Sequence, residues 1–230
     1  MRSPLVAKTV FSIGPVPITE PVLVTWGLIA GLVLLAYLAT RRLSLRPGPA
    51  QAALEVVVST AQSHIAETMR VAPAPYVALL GTLFAFILTA NWSTIVPGIE
   101  PPTAYLETDA ALAVIVFVAV IYYGIRARGF VGYLKTFAEP TALMVPLNLI
   151  ATFTRTFSLI VRLFGNVMSG VFIVGIVLSL AGLLVPIPLM ALELLIGAVQ
   201  AYIFTVLAMV FVGQAVGRAG SPERRQGSPS

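Results

Sequence analysis

Long apolar runs, interrupted by prolines, glycines and arginines, dominate the chain. The first runs from Val22 to Ala39 and leads into Arg41, Arg42 and Arg46. It is long enough to cross a hydrocarbon core of ~30 Å. A cleaved signal peptide would start closer to the N-terminus and end on small residues, whereas this run ends on arginines, so it reads as a retained span over 21–40. The segment 49–70 intersperses Gln51, Glu55, Gln62, His64 and Glu67 among Val, Ala and Ile. It is too polar to span and reads as an amphipathic helix at the surface or packed on other helices. Apolar runs at Tyr76–Val96 and Ala110–Ile125 predict a two-span hairpin over 74–125, with a Pro-rich loop carrying Glu100, Glu107 and Asp109 between them.

The pattern changes after residue 139. From Thr141 to Ala181 no stop signal is convincing, and a helix of ~40 residues is ~60 Å long, about twice the core. A second long run, Leu189–Gly217, follows Pro186 and Pro188. Two crossings by the first run would need a turn near its centre, where Arg155, Arg162 and Asn166 stand. A single crossing by each of two strongly tilted helices over 139–217 satisfies the parity of the spans. The expected fold is therefore an all-α polytopic membrane protein. It has about three spanning helices, an amphipathic segment, a tilted helix pair, an outer segment over 1–20 and a flexible tail over 218–230.

Polar residues in the late runs follow helical spacing. Asn148, Thr152, Arg155, Ser158, Arg162, Asn166 and Ser169 step by three or four and form one stripe. A charge at the centre of a membrane helix costs at least ~2.5–3.5 kcal/mol, which makes Arg162 a functional candidate by default. Arg155 lies closer to one end and can snorkel. Gly165 and Gly170 flank the stripe and permit close approach of another helix. On the last run Glu193 and Gln200 share a face, and Gln214 continues it. One local carboxylate beside two arginines suggests that further acids reside on another subunit.

Composition narrows the class. Of 230 residues 58% are hydrophobic and 10% charged, against ~25% charged in ordinary soluble domains; the mean hydropathy is +0.97. The chain has no Cys and one His, His64, so neither a disulfide framework nor a metal site is expected. The basic pI, about 9.9, reflects scattered residues beside apolar runs and points to membrane topology rather than nucleic acid. If the spans alternate, Arg41, Arg42, Arg46, Arg126, Arg128, Lys135, Arg218, Arg224 and Arg225 fall on one side and the acidic loop on the other. The positive-inside rule then puts the N-terminus outside and the C-terminus in the cytoplasm, with Arg2 and Lys8 as a minority against.

The segment Ser158-Leu159-Ile160-Val161-Arg162-Leu163-Phe164-Gly165-Asn166 resembles the signature of subunit a of the F-type ATP synthase membrane sector. Weaker likenesses are Gly81-Thr82-Leu83-Phe84 through Asn91 to Pro97-Gly98, Pro101-Pro102-Thr103-Ala104 ahead of Asp109–Ala113, and Gln200-Ala201-Tyr202-Ile203-Phe204. Gln51 and Glu55 also match. The resemblance implies a non-catalytic, ion-translocating subunit of a bacterial inner-membrane rotary ATP synthase, in contact with the c-ring and with subunit b of the peripheral stalk. It implies that Arg162 faces the passing c-subunit carboxylate and separates two ion half-channels. Asn166, Glu193 and Gln200 would line the outer one, while Asn148 and Thr152 would line the exit to the cytoplasm. The stripe and the shared face of the last run place Ser158, Ser169 and Gln214 as further expected members of the path. Departures from the family are Val171 and Asn148, where many members carry ionisable groups, and Ser93 and Thr94, where some have acids. Protons and sodium ions both remain as carriers. No cofactor is expected, and no Gly-x-x-x-x-Gly-Lys-Ser/Thr phosphate loop for ATP occurs.

A secondary ion-coupled transporter or channel with an embedded arginine is the rival class. It would show internal repeats and paired broken helices near the midplane; neither is visible.

Overall fold

The computed structural model describes residues 9–13, 16–41, 48–96, 99–138, 144–181 and 186–217. A short antiparallel hairpin comes first, β1 (Thr9–Ile13) with β2 (Val16–Thr19), pairing Ile13 with Val16 and Phe11 with Ile18 and bulging between Thr9 and Phe11. It adds a small β element to the all-α architecture expected. Six helices follow: α1 (Glu20–Thr40), α2 (Pro49–Met69), α3 (Ala74–Trp92), α4 (Leu106–Ala138), α5 (Met144–Ala181) and α6 (Pro186–Gly217). All but α2 are long and apolar enough to cross a membrane.

Proline sets several of the starts. Pro21, Pro49 and Pro75 sit in the first turns of α1, α2 and α3, where the missing N–H would have no intrahelical partner. The end of α2 is set by Arg70 in the left-handed region (φ 54°), whose N–H bonds the Ala66 carbonyl at 2.9 Å. Short 3-10 turns, Ser93–Ile95 and Pro102–Ala104, carry the chain from α3 to α4.

The packing centres on α6. Ala201, Phe204, Ala208 and Val212 on α6 meet Leu80, Leu83 and Ile87 of α3, Leu112, Ala113 and Val116 of α4, and Leu159, Leu163 and Val167 of α5. α2 joins this core through Ile65 and Met69, while Val56 and Val57 are more than half exposed. Its polar face stays outside, including His64, whose ring stands 6.5 Å from the Tyr202 ring in a T-shaped arrangement. α1 contributes little to the core: Trp26, Val33, Leu35 and Leu38 are all more than half exposed, as suits a lipid-facing helix.

Three expectations need correcting. The third span does not stop at Ile125. Helix α4 runs from Leu106 to Ala138, with a break at Gly129 (φ 74°, ψ 163°); arginines at 126 and 128 do not end the helix. Asp109 does not belong to a solvated acidic loop but lies fully buried in the first turns of α4, both carboxylate oxygens without a hydrogen-bond partner. The second long helix starts at Pro186 and so includes Pro188. As expected, α5 is one unbroken helix of 38 residues, about 57 Å long. The proposed tail, 218–230, lies outside the described residues.

Candidate functional site

The site forms where α5 lies against α6. Leu159, Leu163 and Val167 recur every fourth residue and are buried. This fixes the rotation of α5 and leaves Ser158, Arg162, Asn166 and Ser169 on its exposed side. The guanidinium of Arg162 has no hydrogen bond or ion pair among the described residues. It is a cation presented outward on the open face of the α5–α6 pair, flanked along the helix by two polar clusters.

Toward the C-terminal end of α5, Asn166 Nδ2 donates to Gln200 Oε1 at 2.8 Å. Gln200 is buried, its Nε2 lacking a partner. One turn back on α6 from Gly197, Glu193 reaches across to α5 at Gly170: a β-carbon there would lie 2.5 Å from Glu193 Oε1. That oxygen is buried and unpartnered. Glu193, Asn166 and Gln200, with Asn91 and Thr94 from α3 and its 3-10 extension, line a cavity of about 20 Å³, room for roughly one water at ~10–15 Å³ of centre-accessible space. Asn91 holds this corner together. Its Nδ2 donates to the Gly197 carbonyl at 2.9 Å, and its Oδ1 accepts from Thr103 Oγ1 at 2.7 Å. Trp92 Nε1 donates to the Leu194 carbonyl at 3.0 Å.

Toward the N-terminal end of α5 lies the second cluster. Arg155 Nη1 donates to Gln214 Oε1 at 2.6 Å, and its guanidinium stands 5.7 Å from the centre of the Phe211 ring, within cation–π range. Asn148, Thr152, Arg155 and Gln214, with Tyr133, line a cavity of about 120 Å³. Thr152 Oγ1 donates to the Asn148 carbonyl at 2.8 Å. The two cavities share no lining residue, and the turn carrying Arg162 falls between them. Outside the spans, burial raises the Tyr105 phenol above its ordinary pKa, helped by its hydrogen bond to the Glu100 carboxylate.

A model of the ATP synthase A chain family matches residues 22–213. The chain belongs to this family. Among similar proteins, ATP synthase subunit a 2 of Bradyrhizobium sp. is 56% identical over 200 residues, covering 87% of this chain and 90% of the relative. ATP synthase subunit a 2 of Picosynechococcus sp. is 48% identical, covering 81% of each chain. ATP synthase subunit a of Albidiferax ferrireducens is 46% identical, covering 82% and 83%.

Measured against this member of the ATP synthase A chain family, the sequence-based site divides in two. Asn166, Glu193 and Gln200 are brought together, as are Asn148 and Thr152. Gln214, on the same face of α6 as Glu193 and Gln200, joins the opposite cluster through Arg155. Ser158 is exposed beside Arg162, and Ser169 donates to the Asn166 carbonyl at 2.9 Å. Asn91 and Thr94, which entered the sequence reading only through family likeness, and Tyr133, which it did not single out, also line these cavities. Asn91 and Thr94 come from a helix more than a hundred residues from Gly197, and no local spacing announces them.

Proposed function

We propose that this chain is the ion-conducting stator subunit of a rotary F-type ATP synthase. The observation that carries the reading is the outward Arg162 between two separate polar cavities. An ion reaches the middle of the membrane from outside through the cavity of Glu193, Asn166 and Gln200, and neutralises a carboxylate on the c-ring. The neutral site turns through lipid and discharges toward the cavity of Asn148, Thr152 and Arg155. Arg162 favours the ionised carboxylate and so drives release, and its fixed charge blocks a direct path between the cavities. Each unit charge crossing contributes about 2.3 kcal/mol per 100 mV, so several crossings are summed for each ATP made on other subunits. Family membership and five long apolar helices support a multi-pass subunit. The charge distribution favours an N-terminus outside and a C-terminus in the cytoplasm of a bacterial inner membrane, with the c-ring on the Arg162 face and subunit b elsewhere on the chain.

Arg162→Ala should abolish ion-driven ATP synthesis while the complex still assembles. Arg162→Lys should be severely impaired, because an ammonium lacks the reach and fork of the guanidinium. Synthesis is measured in membrane vesicles with subunit incorporation verified by immunoblot. Coupled synthesis near the wild-type rate in Arg162→Ala would overturn the assignment.

A further inference from the structure

Helix α4 turns back on itself at a point the ion path described above does not use. Gly129 has φ 74° and ψ 163°, a conformation essentially restricted to glycine. Nine residues of straight helix would separate Gly124 and Tyr133 by roughly 13 Å along the axis. Instead, a β-carbon on Gly124 would lie 2.5 Å from Cε2 and 2.7 Å from Cδ2 of Tyr133. The Tyr133 ring therefore sits in a notch that only glycine leaves open. The same ring lines the 120 Å³ cavity together with Asn148, Thr152, Arg155 and Gln214. On the turned-back segment Phe130, Val131 and Leu134 are 65%, 69% and 53% exposed, following Arg126 and Arg128. Apolar side chains beside arginines at a span's end suit a segment lying in the membrane interface.

We propose that this turned-back segment is a wall of the cytoplasmic ion exit, and that Tyr133 is a positioning residue whose ring sets the width of the passage past Thr152 and Asn148. The inference rests on reading the larger cavity as the cytoplasmic half-channel. Gly129 supplies the turn, Gly124 supplies the seat, and the interfacial side chains hold the segment against the membrane. The ring blocks the gap between α4 and α5 by its bulk.

The test uses the assembled synthase in inverted vesicles. Ala151, which lines the same cavity, is replaced by Ala151→Cys in this Cys-free chain, and its labelling rate by a membrane-impermeant maleimide is measured. Tyr133→Ala should speed labelling several-fold and lower ion-driven synthesis several-fold, whereas Tyr133→Phe, which keeps the ring, should stay far closer to the unaltered chain on both measures. Gly124→Ala should change the labelling rate when Tyr133 is present and have no further effect in the Tyr133→Ala background, since the two act through one contact. If Tyr133→Ala does not assemble, Tyr133→Leu takes its place. Labelling that is indifferent to loss of the ring, or a Tyr133→Phe variant as impaired as Tyr133→Ala, overturns the wall. An Ala151→Cys that is unreactive in the otherwise unaltered chain overturns the half-channel reading itself, and the wall with it.

Discussion

Glu193 shows how a single residue's role depends on its seat. The carboxylate is pressed into the space left by Gly170, with one oxygen buried and unpartnered, so it is the acidic group of the smaller cavity. Glu193→Gln keeps the shape and removes the charge. It should slow ion-driven synthesis strongly at a fixed gradient without blocking assembly, and adding Val171→Glu should restore part of the rate. A Glu193→Gln rate equal to wild type would mean the ion takes another route. Gly170→Ala tests the seat from the other side: it should displace the carboxylate and impair synthesis in the Glu193 chain more than in the Glu193→Gln chain. Arg162, Asn166, Gln200 and Glu193 were legible as candidates in the sequence because cost and spacing act within each helix. A charge in an apolar run is expensive, and steps of three, four or seven align polar groups. Asn91 was not legible as a site residue, since its partners Thr103 and Gly197 meet it only through tertiary packing.

Among the elements, α5 carries the sharpest test. Its buried line of Leu159, Leu163 and Val167 and its open line of Ser158, Arg162, Asn166 and Ser169 are distinct faces. Cysteines at the open positions should form disulfides with cysteines on a c-subunit helix, and those at Ile160 or Val167 should not. Comparable yields from both faces in copper-catalysed cross-linking would contradict the orientation. α4 offers a second test. Gly129→Ala places a side chain in a region costing about 1–3 kcal/mol for non-glycine residues, and should reduce the amount of assembled subunit or its thermal resistance in detergent by a corresponding degree. The length of α5 was legible because no breaker interrupts it. The course of α4 was not, because arginines that end a span and arginines that merely mark the interface look alike in sequence; only the conformation of Gly129 shows that the helix goes on and turns.

For the whole molecule, the sidedness of charge predicts the orientation. Glu100→Cys should react with an impermeant reagent only from the outer side, and Arg126→Cys only from the cytoplasmic side, both residues being exposed. Reaction of both from one side would invalidate the alternation of spans. The unequal cavities carry an electrical consequence. Voltage falls most steeply where a conduction path is narrowest and driest. In the proposed path, about 20 Å³ on the Glu193 side against about 120 Å³ on the Arg155 side leaves an arriving ion room for roughly one water and a departing ion room for several, so more of the voltage would fall on the Glu193 side. Under that reading, arriving ions would be driven mainly by the field, and departing ions mainly by dilution. A motor wired this way responds to membrane voltage and to concentration ratio through different ends of the same subunit.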